Sequence, residues 1–377
     1  MAQRLSQNLA LEFRRKIETG QWVSGQRLPT TRQLAAKYQV SANTIQGAFR
    51  VLEAHNLVDR RPRRGGFVKL PSARRETSKV TTVGFVGVFA HLQEESDADE
   101  WTHRIIRGAD VELTQGGYRP SLFSYSREEQ NATPRLLSLI TEARDRLAGI
   151  VCFLSPPVYG LLDELDRLDI PWVTINRSHE AAVHNFVMHD AFGGSRLIGR
   201  CMARLKLDRI AVLSDRMLPG KTTADKYFGF MQGYIERGMP SRDVDFIECD
   251  RYFEQDGYNY LRAYIERYGP PTVVYTSGDL LAAGAMRLLR ELDIKVPGQV
   301  QVIGSTGLKM AEYTHPSLTV LSVPMEQMGE AAARMLMEMS REGVRRMIGR
   351  YVPAPLVVRE SFVIPPELIQ EETIGLR

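Results

Sequence analysis

The stretch LPTTRQLAAKYQVSANTIQGAFRVLEAHNLV, residues 28–58, holds two short helical patterns a few residues apart. Thr30 with Gln33 has the spacing of a capping box, so a helix is predicted from there to about Tyr38, with Leu34 and Ala35 facing inward. Ser41 is a natural N-cap for the next helix, where Ile45, Ala48, Phe49 and Leu52 follow the i, i+3, i+4, i+7 spacing of a core stripe. Ala42, Asn43, Gln46 and Arg50 are thereby left outside, a polar face with short amides and one long cation.

On the N-terminal side, Leu5, Leu9, Phe13 and Ile17 recur every fourth residue and predict a further helix that stops near Gly20. On the C-terminal side, NLVDRRPRRGGFVKL (56–70) reads as two short strands about a turn with Pro62, Gly65 and Gly66, studded with Arg60, Arg61, Arg63 and Arg64. Three helices and a basic hairpin make a winged helix-turn-helix. The charge agrees: residues 1–75 carry 15 Lys or Arg against 4 Asp or Glu, a balance of +11, whereas the remainder balances at −7. A basic end on a mildly acidic body reads as a polyanion-binding module. Helix N-termini offer free N–H groups to phosphate, outward amides can read base edges, and wing arginines can lie along the backbone or enter the minor groove. A protein-interaction module with a solvated arginine loop is the plainer alternative.

These residues resemble the GntR family of bacterial transcription regulators over 1 to about 70. The resemblance rests on Gly20, Gly25, Leu28 and Pro29, then Arg32, Leu34 and Ala35, on Val40, Ser41 and Thr44, on Leu52, and on the wing Gly65, Gly66, Phe67 and Val68. It implies double-stranded operator DNA as partner, with Arg32, Ser41, Asn43, Thr44, Gln46, Arg50, Arg63, Arg64 and Gly65 at the interface. Ala42 departs from the pattern, since the family commonly has Arg there, and a long bidentate donor is missing at one base-reading position.

Residues 71–79, PSARRETSK, are polar and aperiodic and read as a linker. Beyond them TVGFVGVF, PSLFSY, GIVCFL, PWVTIN, RIAVLSD, DFIEC, TVVYTS and VQVIGS are short β-rich apolar runs, most of them separated by helical stretches. Strands alternating with helices imply parallel, doubly wound α/β sheets, and eight runs exceed one ordinary sheet, which favours two similar subdomains with a cleft between them. The stretch from 80 to about 363 resembles the effector domain of the LacI/GalR family, itself related to periplasmic binding proteins. The matching motifs are IPWVTINR, GFMQGYIERG, TSGDLLAAGAMRLLRELDIKVPGQVQVIGS, PSLTVLSVPMEQMGEAAARML and VVRESF. A GntR-type head on such a body is similar to regulators of the arabinose-repressor type.

That resemblance implies subdomains of about 80–188 with 318–344 and 189–317 with 345–364, within an effector-binding and dimerisation domain spanning 80–377. It implies a small carbohydrate-like effector between them, touched by Trp101, Asp190, Lys226 and Asp279. Carboxylates and a cation can hold ring hydroxyls while an aromatic face covers the apolar side of a sugar. Each has a plainer reading: Asp190 and Asp279 as helix N-caps, Lys226 as a solvated helical residue, Trp101 as core. The turn Gly304, Ser305, Thr306 and Gly307 lacks the acids that the family often carries there.

Nothing else in the sequence demands chemistry. His184, His189 and Asp190 in HNFVMHD lack tight metal-ligand spacing and read as scattered loop residues. No G-x-S-x-G, H-E-x-x-H or Walker run occurs, so neither enzyme nor cofactor is expected. Cys152, Cys201 and Cys249 are odd in number and far apart, which predicts buried reduced thiols. No apolar run reaches the roughly 18 residues of a membrane span, and a cytoplasmic protein without membrane partner is expected. The reading is a ligand-responsive transcription regulator, a repressor that binds its operator as a homodimer. A head fused to a pyridoxal-phosphate aminotransferase would need a longer body and a Schiff-base lysine after a strand. A sugar sensor acting through protein contacts is the remaining alternative.

Overall fold

A computed structural model describes residues 6–374 except 7–8, 11, 14–15, 18–20, 23–25, 55–56, 62–64, 69–81, 90–96, 127–128, 154–157, 159, 176–183 and 218–221. The chain divides into two units, Met1–Ser78 and Lys79–Arg377. The linker expected at 71–79, together with Leu5, Arg63 and Arg64, lies outside the described residues.

In the first unit helix α1 is seen at residues 6, 9–10, 12–13 and 16–17, with Leu9, Ala10 and Phe13 buried. Helix α2 (Thr31–Tyr38) opens on the expected capping box, and Gln39 ends it in a left-handed conformation, φ 52°. Helix α3 (Ala42–Ala54) follows. The Phe13 ring meets Trp22, Tyr38 and Phe49 at centroid distances of 5.3, 5.4 and 5.9 Å, which knits the three helices around one aromatic. Strands β1 (Val58–Arg61) and β2 (Gly65–Val68) pair antiparallel, Arg61 opposite Gly65. A third edge comes from residues 26–28: Arg27 bridges Phe67, and the Leu28 and Val68 N–H groups donate to Gly66 and Gln26.

The second unit holds two six-stranded sheets. Sheet A has the order β13-β7-β6-β5-β3-β4, made of β3 (Thr82–Gly87), β4 (Arg119–Ser124), β5 (Leu147–Cys152), β6 (Trp172–Ile175), β7 (Phe186–Asp190) and β13 (Arg350–Pro353), all parallel. Helices α4 (Asp97–Gln115) and α12 (Met325–Glu342) pack on one face, α5 (Ala132–Ala143) and α6 (Leu161–Arg167) on the other. Alternation divides β3 between the two: Val83 and Phe85 face one core, Val86 the other.

Sheet B has the order β14-β12-β11-β10-β8-β9, made of β8 (Ile210–Asp215), β9 (Val244–Cys249), β10 (Val273–Thr276), β11 (Gln301–Gly304), β12 (Thr319–Leu321) and β14 (Leu356–Val357); only β14 runs antiparallel. Helices α9 (Glu254–Tyr268) and α10 (Asp279–Glu291) cover one face. Helices α7 (Ala191–Arg204) and α8 (Thr222–Ile235) cover the other with a terminal helix, α13 (Pro366–Ile374). The short α11 (Met310–Tyr313) lies between β11 and β12.

The chain therefore crosses between sheets after β7, after β12 and after β13. The crossings lie together: Pro353 is opposite Asp190, and the Ser322 N–H donates to the Pro355 carbonyl at 2.8 Å. This corrects the expected boundaries. β12 belongs to sheet B, so the second crossing follows Leu321 rather than residue 318, and β13 belongs to sheet A, so the third follows Pro353 rather than residue 345. Four strands also escaped the eight apolar runs, namely β7, β12, β13 and β14.

Candidate DNA interface and effector site

Helix α3 divides as its periodicity demands: Ile45, Ala48, Phe49 and Leu52 are buried, Ala42, Asn43 and Arg50 exposed, and Gln46 half-buried. Asn43, Gln46 and Arg50 are spaced i, i+3, i+7 and share one side of the helix. Ser41 caps it, its hydroxyl accepting from the Thr44 N–H at 3.1 Å. Thr44 differs from its neighbours. Its side chain is buried and its hydroxyl lies 2.8 Å from that of Ser41, while the Ser6 hydroxyl donates to its carbonyl, so it holds the cap and packs against α1. Arg32 and Lys37 are exposed on α2, and Gly65 starts β2. Tyr38 donates to Glu12 at 2.7 Å and takes a bond from Lys16, which ties α2 to α1.

In the body, Lys226 and Asp279 meet at one turn. Lys226 is buried on α8, and its Nζ donates to the Ser277 carbonyl at 2.7 Å and the Ser305 carbonyl at 3.0 Å. Burial pulls its pKa down to about 8 against the pull of Asp279 and Asp215. Asp279, fully buried, accepts through Oδ2 from the Gly307 and Leu308 N–H groups at 2.8 and 2.7 Å. Burial raises its carboxyl to about 6, although those amides and the Lys226 charge favour the carboxylate. Gly278 is the N-cap of α10, so Asp279 caps the 305–308 turn across from its own helix. Gly307 turns there with φ +79°, a left-handed conformation that favours glycine.

Asp190 sits at the first crossing, half-buried, and does cap a helix: its Oδ1 accepts from the Gly193 N–H at 2.8 Å. Trp101 lies on α4, half-buried, edge-on to Phe153 at 5.8 Å, and Phe153 in turn packs on Phe85 and Phe89. An aromatic corner thus stands at the C-terminal ends of β3 and β5.

Several polar groups of this region are missed or misplaced by the sequence reading. Asp215 ends β8 and accepts from Thr223 (3.1 Å) and Ser277 (3.2 Å); a carboxylate closing an apolar strand was a readable signal. His189 was read as a loop residue, but it lies on buried β7, where burial and then the Lys226 charge lower its pKa to about 3. The polar ends of HNFVMHD hid a strand that both sheet neighbours cover. Glu100 and Arg104, which reach the same turn from α4, carried no sequence signal. The three cysteines are buried, and desolvation raises each thiol, to about 12 for Cys201 and Cys249.

Residues 5–68 match the bacterial regulatory proteins of the gntR family, and residues 200–362 match the periplasmic binding protein-like domain. The arabinose metabolism transcriptional repressor of Geobacillus stearothermophilus is 26% identical over 361 residues, 92% of this chain and 94% of that one. Two solved structures share the fold: a LacI family transcriptional regulator from Enterococcus faecium with bound ribose and a CelR–cellobiose complex. The first is 19% identical with a TM-score of 0.62, covering 76% of this chain and 100% of that one. The second is 21% identical with a TM-score of 0.62, covering 89% and 100%. These relatives are regulators, not enzymes. Among the described residues no helix is long and apolar enough to cross a membrane. The chain joins a gntR-type winged helix-turn-helix head to a periplasmic-binding-protein-like sensor body, which is the build of a bacterial transcription regulator.

Proposed function

We propose that the protein is a cytoplasmic, homodimeric repressor without catalytic activity, whose operator affinity is set by a small carbohydrate-like effector bound between sheets A and B. The supporting observation is the buried Lys226–Asp279 pair, which brackets the turn after β11 where parallel strands end, the usual ligand position of open α/β sheets. Trp101 with Phe153 supplies an aromatic wall for the apolar face of a sugar, and Asp190 supplies a carboxylate at the crossing. Asp279 and Lys226 already hold backbone groups, so their share in binding is chiefly to shape the floor beneath the effector. The named relatives favour sugars: one belongs to arabinose metabolism, and ribose and cellobiose occupy the two structures.

In the head, Asn43, Gln46 and Arg50 read base edges, Arg32 and the Ser41 cap hold the backbone, and the wing with Arg63, Arg64 and Gly65 tracks phosphates. Thr44 acts through the cap. Dimerisation follows from scale, because one head buries too little surface for operator affinity and a two-fold protein reads a palindrome. The test is a thermal-shift screen with pentoses, hexoses and disaccharides, followed by titration of operator DNA with and without any hit. A ligand that binds only the native state must raise the melting temperature. If no sugar does so, the effector class is wrong.

A further inference from the structure

Three consecutive N–H groups on the turn after β11 are each taken by a carboxylate, and the carboxylates come from opposite sheets. Asp279, on sheet B's α10, takes Gly307 and Leu308. Glu100, on sheet A's α4, takes Lys309 with both oxygens, at 3.0 and 3.1 Å. One helical turn along, Arg104 donates to the Gly307 carbonyl at 2.9 Å and grips Glu326 of α12 two-pronged, at 2.9 and 3.0 Å. The Leu308 side chain is buried at 2% exposure in the core formed by α4, α12 and sheet A, although its chain runs between two strands of sheet B. The Thr306 carbonyl accepts from the Val323 N–H at 2.9 Å, on the second crossing.

We infer that the 307–309 turn is a joint coupling Asp279 to the α4–α12 pair, with Glu100 and Arg104 as the positioning residues that pass a displacement from one sheet to the other. Charge-assisted bonds fix the turn from both sides, so it cannot follow Asp279 without drawing on Glu100 and Arg104. Nor can α4 absorb the pull by sliding on α12: a Cβ at Gly108 would run into the Glu326 carbonyl, and one at Gly329 into that of Ile105, so the two backbones touch. A shift of the turn therefore reaches both helices together. The regulatory meaning rests on the proposed effector site; the coupling does not.

Amide hydrogen exchange of the effector-free full chain tests it. Asp279→Asn is expected to speed exchange in 306–310 about tenfold, the size of losing charge-assisted hydrogen bonds, and to raise it in residues 100–106 of α4 as well. With Glu100→Gln already in place, the α4 response to Asp279→Asn should vanish. Glu112→Gln, on the same helix but paired with Arg334, should leave the turn at wild-type exchange. Absence of an α4 response, or one undiminished in the Glu100→Gln background, overturns the joint. Should Asp279→Asn not fold, the reverse direction decides: Glu100→Gln, more exposed, is expected to speed exchange at 277–283, and unchanged exchange there overturns the inference. No arm uses a sugar, so a failed effector screen and a failed joint remain separate results.

Discussion

Gln46 lies one turn beyond Asn43 on the open side of α3, with its backbone fixed by the Ser41 cap and the Phe49 and Ile45 anchors beneath. Short amides so held can pair with adenine edges, whereas Arg32 on the preceding helix has the reach for phosphate. Gln46→Ala is expected to cost about 1 to 3 kcal/mol at the cognate site and little on random DNA. Equal losses in a two-DNA titration reassign the residue to the backbone. His189 makes a second residue-scale prediction. Its folded-state pKa near 3 lies below the ordinary 6.5, so between those values the unfolded chain binds a proton that the folded chain refuses. Stability contributed by the neutral ring is thus full above 6.5 and lost as pH falls toward 3. Asp279, raised to about 6 from 3.8, acts in the opposite sense over its window. On going from pH 7 to pH 5 the denaturant midpoint of His189→Gln should therefore shift upward relative to the shift in the wild type, because only the His189 loss is removed while the Asp279 gain remains; an identical shift rules the ring out. Sequence placed Gln46 on its helix but put His189 in a loop rather than on β7, and it could not show that Thr44 turns inward or that Lys226 is desolvated, because both depend on neighbours remote in the chain.

At the scale of elements, helix pairs cross on glycines. Besides Gly108 and Gly329, a Cβ at Gly199 would meet the Phe230 carbonyl, and one at Gly284 that of Glu254. Gly329→Ala gains helix propensity of about 1 kcal/mol, yet it must part α12 from α4, and overpacking of this kind costs about 1 to 3 kcal/mol or more. Chemical denaturation should show net destabilisation; a neutral or stabilised variant would mean the helices can separate freely. The wing is the other element with a measurable share. Replacing Arg63 and Arg64 with Ala should lower the slope of log affinity against log salt by about 0.9 for each phosphate that is no longer neutralised, and an unchanged slope removes the wing from the interface. Elements with a full period were legible: the capping box, α3 and the wing strands formed where spacing placed them. β12 and β14, three and two residues long, are too short to show a period. β7 ends in His189 and Asp190, and β13 opens on Arg350, so polar ends hid both. These omissions displaced the expected crossings, since a strand that is not seen cannot be assigned to a sheet.

For the whole molecule, the regulatory claim separates from the DNA-binding claim. Asp279 lies in the second unit and the reading face in the first, so Asp279→Ala should leave effector-free operator affinity nearly intact while abolishing the effector's influence on it. Operator titration with and without the ligand found by thermal shift checks this. Wild-type sensitivity in the variant would leave Asp279 as a brace for its turn and nothing more. The two-module plan was legible because the charge balance changes sign along the chain and apolar runs alternate with helices; the interior of the sensor was not. Its last helix shows what that leaves out. Glu372 on α13 is buried and bonded to Arg200 and to Arg237 (2.5 Å); burial pushes its carboxyl up, but the two guanidiniums outweigh that and hold it below the usual range. Ions that water does not reach are poorly screened, whereas contacts between an exposed basic face and phosphates are screened readily. Concentrated salt should therefore strip the protein from a heparin or DNA column while the buried Arg200–Glu372 contact stays shut, whereas a protease trimming the tail past Glu372 would take that contact away and leave Arg200 to Glu236.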